Sequence, residues 1–231
     1  MMQAVVLAGG RGTRLRERVA DLPKPMAPVA GRPFLEYLLG WLARCGVRRV
    51  VLSVGYMAEV IEAHFGAHWH GVTLAYAHED EPLGTGGAIA HAVSGAGDAP
   101  VLVLNGDTLL RVDCAALANW YAREPVPVAM VLRQVDDVAR YGAVMLEGDR
   151  VTGFAEKGGA GPGLINAGAY IVQPRVFEQF GLSGRFGFET DLLQRHCAAL
   201  RPRAFVTDAY FIDIGVPDDF DRAQRELPAL E

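Results

Sequence analysis

Residues Met2–Leu15 read "MQAVVLAGGRGTRL". The run "AVVLA" (4–8) carries no polar side chain, the mark of a strand buried on both faces. It gives way at once to Gly9, Gly10, Arg11, Gly12, Thr13 and Arg14. Glycines let backbone N–H groups approach a phosphate closely, because no Cβ intervenes and positive φ is permitted. Arg11 and Arg14 add charge-assisted donors for phosphate oxygens. In open α/β sheets ligands sit beyond the carboxyl ends of the strands, where strand order reverses, and this stretch would occupy such a place. Two familiar phosphate loops are excluded by residue identity. A P-loop needs Gly-Lys-Ser/Thr where Gly12-Thr13-Arg14 stands, and the dinucleotide fingerprint needs glycine at Leu15. By itself the turn also fits a simple tight strand–helix connection.

Further short apolar runs follow: "VVLSVG" (50–55), "VTLAYA" (72–77) and "VLVLN" (101–105). Between the first two lies "FLEYLLGWLARCG", whose Leu35, Leu38, Leu39, Leu42 and Ala43 recur on one helical face. "AEVIEAHF" (58–65) and a segment from about Thr85 to Val93 are further helices. Unbroken apolar strands alternating with helices imply parallel crossovers and a doubly wound α/β sheet. After Asp107 the rhythm changes. A helix near 113–123 precedes shorter strands, "PVAMVLR" (127–133), "GAVMLE" (142–147), "RVTGFAEK" (150–157) and "AGAYIVQ" (167–173). A helix from about Glu189 to Leu200, the strand "AYFIDIG" (209–215) and a last helix from Pro217 complete the pattern. "KGGAGPG" (157–163) is a loop rather than a linker, since strand patterns continue on both sides. The expectation is one domain, residues 1–231, with a mostly parallel sheet and a small additional β region that builds a pocket.

Composition narrows the function classes. Of 231 residues, 51% are hydrophobic and 21% charged, and the formal net charge is −5. General attraction to nucleic acid or an anionic membrane is therefore disfavoured, and an anionic ligand must be met by local cations. Cys45, Cys114 and Cys197 form no CxxC pair, which argues against a disulfide framework or structural zinc and fits a reducing cytoplasm. The chain enters a strand at once, so neither a signal peptide nor a membrane span is expected. His64, His68 and His70 in "HFGAHWH" have metal-like spacing but no matching acid or cysteine nearby.

Ten residues beyond Arg14 comes "LPKPM" (22–26). Lys24 lies between two prolines, so its backbone is held extended and its amine can be aimed, toward a triphosphate or simply into solvent. Here the chain resembles the nucleotide-sugar pyrophosphorylases, the sugar-1-phosphate nucleotidyltransferases. The match is "LAGGRGTRL", then "PKPM", then "GRPFLEYLL". "EPLGTGGAI" (81–89), "LNGD" (104–107), "FAEK" (154–157), "NAGAY" (166–170), "FE" (188–189) and "DIG" (213–215) follow in family order.

The resemblance implies that a sugar 1-phosphate is joined to a nucleoside triphosphate with release of pyrophosphate. The nucleophilic phosphate oxygen is already ionised, its second pKa being about 6, so positioning and charge neutralisation carry the catalysis. Asp107, at the end of a buried strand, and Asp213, flanked by Ile212 and Ile214, are carboxylates suited to a cation. Asn105-Gly106-Asp107 also fits a plain turn. The resemblance assigns both carboxylates to Mg²⁺. It implies catalytic roles for Arg14, Lys24, Asp107 and Lys157, and nucleotide contacts from Leu7, Ala8, Gly9, Gly10, Gly12 and Thr13. It implies sugar contacts from Glu156, Asn166 and Glu189, and from Gly142, which otherwise merely starts a strand.

"EDEPLGTGGA" (79–88) resembles the nucleobase segment, with Glu81, Gly84 and Thr85 as contacts. Guanine presents N1–H and N2–H₂ as adjacent donors that a carboxylate accepts together, whereas uracil suits an amide, so the tilt is to GTP. "DLPKPMAPVAGRPFLEYLLGWL", "LNGDT" and "GRVTGFAEK…GLINAGAY" are most similar to short bacterial D-glycero-D-manno-heptose 1-phosphate guanylyltransferases, which serve capsule, lipopolysaccharide or surface-glycan synthesis. Mannose-1-phosphate guanylyltransferases and N-acetylmuramate-1-phosphate uridylyltransferases share most of these pieces. The expected partners are GTP and a sugar 1-phosphate, with no nucleic acid or membrane, and a homodimer stays open as the assembly. The chain departs from the pattern at "RERVAD" after Leu15 and at Thr190, where lysine is commoner. No C-terminal left-handed β-helix is expected. A nucleotide-binding regulator on this fold would lose the metal carboxylates or Lys157. A Rossmann dehydrogenase would need an acid closing its second strand, which ends Val54-Gly55-Tyr56.

Overall fold

The computed structural model describes residues 3–10, 19 and 22–230. A ten-stranded sheet runs in the order β10 (Val144–Glu147), β11 (Arg150–Phe154), β13 (Arg203–Thr207), β9 (Val128–Val135), β12 (Gly163–Val172), β7 (Val101–Asn105), β1 (Gln3–Leu7), β4 (Arg49–Val54), β6 (Val72–His78) and β5 (His68–Trp69). Seven strands point the same way, and β5, β11 and β12 run against them. The sheet is therefore mostly parallel, as the alternating pattern implies. Two small ribbons flank it: β2 (Pro28–Val29) with β3 (Arg32–Pro33), and β8 (Thr108–Leu110) with β14 (Phe211–Asp213).

Alternation along β1 shows why both faces must be covered. Ala4, Val6 and Ala8 join one apolar cluster and Val5 the other, all fully buried. The first cluster is covered by α1 (Phe34–Arg44), α2 (Ala58–Phe65), α4 (Cys114–Arg123) and α7 (Pro217–Glu226). The second is covered by α3 (Gly84–Ala92), α5 (Val176–Gln179) and α6 (Cys197–Leu200), together with a π-helical stretch, Phe188–Gln194. Local signals set several boundaries. Asp113 caps α4, its carboxylate accepting from the Ala115 and Ala116 N–H groups at 2.9 and 3.0 Å. Pro217 opens α7 with Asp218 and Asp219 in its first turn.

The helix expected over 189–200 is split. Its first part is π-helical, with the Arg195 N–H donating to the Thr190 carbonyl at 3.2 Å. The wider turn buries Phe188, Leu192 and Leu193 while Glu189 turns toward Thr85 and Tyr170. Among the described residues no helix is long and apolar enough to cross a membrane.

Chain order places the switch point. From β1 the chain moves outward through β4 to β6, then returns to the other side of β1 with β7. Leu7 and Asn105, the last residues of β1 and β7, are register partners. The glycine turn and the Asn105-Gly106-Asp107 corner thus leave the sheet side by side, where such sheets bind ligands.

Candidate active site

At that corner the backbone is pinned on both sides. The Gly106 N–H donates to the Leu7 carbonyl at 2.9 Å, and the Ala8 N–H to the Ser53 carbonyl at 2.8 Å. Beyond lies a cavity of about 460 Å³, walled by Leu7, Gly9 and Gly10 from the first turn, Gly55 and Tyr56 after β4, and the 79–88 segment. Glu79 and Asp80 are the acids of this wall, and Glu79 is the one tied to the glycine turn. One carboxylate oxygen accepts from Ser53 Oγ at 3.1 Å, the other from the Leu83 N–H at 3.0 Å. A Cβ on Gly9 would stand 2.9 Å from Glu79 Oε1, so this glycine is what lets the carboxylate reach over the turn. The start of α3 is docked as closely. Gly84 has φ +70°, and a Cβ there would lie 2.5 Å from the Phe186 carbonyl oxygen. That carbonyl accepts from the Gly86 and Gly87 N–H groups at 3.0 and 3.3 Å.

A second cavity, about 220 Å³, shares Leu7, Gly10 and Thr85 with the first and adds Lys24, Asn105, Asp107 and Glu189. Pro23 is extended at φ −65°, ψ 144°, and Pro25 and Met26 are buried. The segment is thereby anchored, and the Lys24 ammonium pairs with the Asp107 carboxylate. Asp213 comes from β14, opposite Thr108 of β8, and the Ile214 N–H donates to the Asp107 carbonyl at 3.0 Å. Its Oδ1 accepts from the Gly215 N–H at 2.7 Å. A Cβ on Gly215 would meet both Lys24 Nζ, at 2.5 Å, and Asp213 Oδ1, at 2.7 Å, so the ammonium and both carboxylates converge here. Burial pushes the Asp213 carboxyl above its ordinary pKa, and the charge of Asp107 pushes it further. Two like charges leaving water together is the arrangement a divalent cation relieves. Among the described residues no group of three acids, histidines or cysteines could hold a metal. Two carboxylates suit a cation whose other ligands are phosphate oxygens and water.

Glu189 also lines this cavity, with Thr85 Oγ1 donating to it at 2.9 Å. Asn166, half-buried on β12, reaches Glu189 through the Tyr170 hydroxyl. Gly142 has φ +77°, and a Cβ there would lie 2.6 Å from the Ala155 carbonyl and 3.5 Å from the Lys157 nitrogen. The glycine therefore seats the backbone that carries Glu156 and Lys157.

Residues 3–229 match the nucleotidyl transferase family. The chain belongs to that family. The D-glycero-alpha-D-manno-heptose 1-phosphate guanylyltransferase of Aneurinibacillus thermoaerophilus is 43% identical to this nucleotidyl transferase over 226 residues, covering 98% of each chain. The enzyme of the same name from Campylobacter jejuni subsp. jejuni is 41% identical, over 95% of this chain and 97% of its own. The crystal structure of HddC from Yersinia pseudotuberculosis complexed with GMP-PN superposes with a TM-score of 0.87 at 36% identity, over 98% and 99% of the two chains.

The nucleotidyl transferase fold thus brings Leu7, Gly9, Gly10, Gly84 and Thr85 around one cavity, and Lys24, Asp107 and Glu189 around the next. Ala8 is buried beneath the turn. Glu81, Glu156 and Lys157 are exposed and line neither cavity. Gly12, Thr13 and Arg14, like Arg11, lie outside the described residues. Sequence reasoning passed over Glu79, Gly55, Tyr56 and Tyr170. Strand order could have found Gly55 and Tyr56, since β4 is the neighbour of β1. His64 is engaged with Glu36 at 2.8 Å, and His70 stacks on Trp69 with ring centroids 4.1 Å apart.

Proposed function

We propose that the protein transfers GMP from GTP to D-glycero-α-D-manno-heptose 1-phosphate, releasing pyrophosphate and forming GDP-heptose for capsule or surface-glycan synthesis. The observation that carries this is 43% identity, end to end, with a D-glycero-alpha-D-manno-heptose 1-phosphate guanylyltransferase. A sugar-phosphate oxygen attacks the α-phosphorus. A new P–O bond forms there as the bond to the bridging oxygen of the β-phosphate breaks, and pyrophosphate leaves with that electron pair. The attacking group is already ionised near neutrality, so no strong base is needed.

The cavity between the glycine turn and α3 receives the nucleoside in this reading. Each Glu79 oxygen accepts one protein donor and has a further lone pair. The carboxylate can therefore take guanine N1–H and N2–H₂ as a pair. Lys24 presents its ammonium to the phosphates, with Arg14 assigned the same work by family resemblance. Asp107 and Asp213 would hold a divalent cation, Mg²⁺ by family resemblance, which would supply charge neutralisation on the phosphates. Lys157 meets the phosphate of the sugar, and Glu156, Asn166 and Glu189 its hydroxyls. Residues 1–231 act as one domain, in the cytoplasm.

The test is a pyrophosphate assay with four nucleoside triphosphates against a panel of sugar 1-phosphates. The highest kcat/KM is expected for GTP with the heptose phosphate. A higher value for mannose 1-phosphate, or for UTP with N-acetylmuramate 1-phosphate, overturns the assignment.

A further inference from the structure

The two cavities share a wall at Thr85, and that side chain is bonded to the acid of the second cavity. Thr85 Oγ1 donates to Glu189 Oε2 at 2.9 Å and accepts from the Phe188 N–H at 2.9 Å. The other carboxylate oxygen, Oε1, accepts from the Tyr170 hydroxyl at 3.1 Å. Tyr170 is fully buried in β12, its ring edge-on to Phe188 with centroids 4.9 Å apart. Its own oxygen accepts from Asn166 Nδ2 at 2.6 Å. The direction of donation is set from the far end. Asn166 Oδ1 accepts from the Gly168 N–H at 3.1 Å, which leaves the amide nitrogen to face Tyr170. Register shifts between Asn166 and Ala169, and Gly168 has φ +69°, so a strand bulge aims this amide. Burial, reinforced by the charge of Glu189, pushes the Tyr170 phenol well above its usual pKa. The hydroxyl stays a donor throughout the working range.

Glu189 is thus gripped by one hydroxyl from the sheet and one from the nucleotide wall. We propose that Thr85 and Tyr170 are positioning residues that hold the Glu189 carboxylate for the sugar, and that the Thr85–Glu189 bond couples nucleotide occupancy to sugar binding. This rests on the assignment of Glu189 to the sugar hydroxyls. Thr85 is the second residue of α3, whose first turn borders the nucleotide cavity. A nucleotide that settles this turn settles the Thr85 hydroxyl, and with it the orientation of Glu189. The coupling is reciprocal, so the sugar phosphate tightens the nucleotide by the same factor.

The experiment compares T85V, T85S, Y170F and E189Q. It reads the KM for D-glycero-α-D-manno-heptose 1-phosphate at saturating GTP, kcat, and the Kd of GTP alone by calorimetry. T85V and Y170F should each raise the sugar KM by roughly tenfold, the effect of one charge-assisted hydrogen bond. In Y170F, whose side chain lines neither cavity, GTP affinity in the absence of sugar should stay within about threefold, a smaller effect than loss of that bond. T85S, which keeps the hydroxyl, should restore the wild-type KM. In the E189Q background neither substitution should add a further effect. An unchanged sugar KM in Y170F and T85V, beside a raised one in E189Q, overturns the coupling and leaves the sugar site standing. So does a loss of GTP affinity in Y170F equal to its loss for sugar. An unchanged sugar KM in E189Q removes the sugar site itself. If T85V does not fold, Y170F and T85S decide the matter by the same criteria.

Discussion

Asp107 and Asp213 are 106 residues apart in the chain and meet across an antiparallel ribbon, Asp213 opposite Thr108. Only the pairing of β8 with β14 achieves this. It sets both carboxylates beside the Lys24 ammonium; Asp107 and Lys24 line the cavity that includes Gly10, whereas Asp213 lines neither cavity.

Removing one of these charges should stop the reaction without unfolding the protein. D107N is expected to lower kcat by on the order of 10³-fold, the scale seen when a transition-state charge partner is lost. Far-UV circular dichroism and the thermal midpoint should stay near wild type, because the Asp107 side chain is only half-buried. Retained pyrophosphate release would contradict the role.

Glu79 should decide the base. E79Q replaces one acceptor oxygen by a donor amide, leaving guanine N2–H₂ or N1–H without its partner. The kcat/KM for GTP should fall at least tenfold, roughly the effect of one hydrogen bond to a charged group. UTP should gain relative to GTP in the same assay. An unaltered GTP-to-UTP ratio would remove Glu79 from base recognition.

The docking of α3 on the 184–188 loop depends on Gly84. G84A must accept a Cβ 2.5 Å from the Phe186 carbonyl oxygen at a φ of +70°. The expected cost is about 1–3 kcal/mol of stability, read from the urea midpoint. A KM for GTP raised in the same variant would follow from displacement of the first turn of α3, which borders the nucleotide cavity.

Tyr141 carries an alkaline signature. Burial, and then the charge of Asp219, pushes its phenol up to about 12 from the ordinary 10.0. Its hydroxyl faces Asp219 Oδ2 at 3.5 Å, beside Arg140, which bonds that same oxygen at 2.8 Å. The folded form therefore keeps its proton where the unfolded chain has lost it. Its contribution is whole below pH 10 and is lost as pH rises through about 12. Y141F should show a shallower loss of stability than wild type across that window, measured by urea titration at successive pH values. Parallel curves would refute the shift.

Much of this architecture was legible in residue patterns because the physics behind them is local. "AVVLA", "VVLSVG" and "VLVLN" read as doubly buried strands because they are almost wholly apolar and carry no charge, and "AEVIEAHF" is a helix over the residues marked for it. The split of 188–200 was not legible. A π-turn has the same apolar spacing to the eye as an α-turn, and it is selected by where Phe188 and Glu189 must point. Within the site, glycines and lone charged residues at strand ends could be picked out as candidates. Glu79 could not be chosen over Glu81, because the difference is which one faces Gly9 past the end of β4, the strand between β1 and β6.

The order of residues alone determined the strand-then-glycine entry, the alternation that makes a doubly wound sheet, and the family signature along nearly the whole chain. The tertiary structure decided which acids meet, that Glu79 closes over the glycine turn, and that Thr85 and Tyr170 each hold one carboxylate oxygen of Glu189. The reason is range. Strand and helix formation is governed by neighbours a few residues away, whereas contacts between segments about a hundred residues apart exist only once sheet order and strand register are settled.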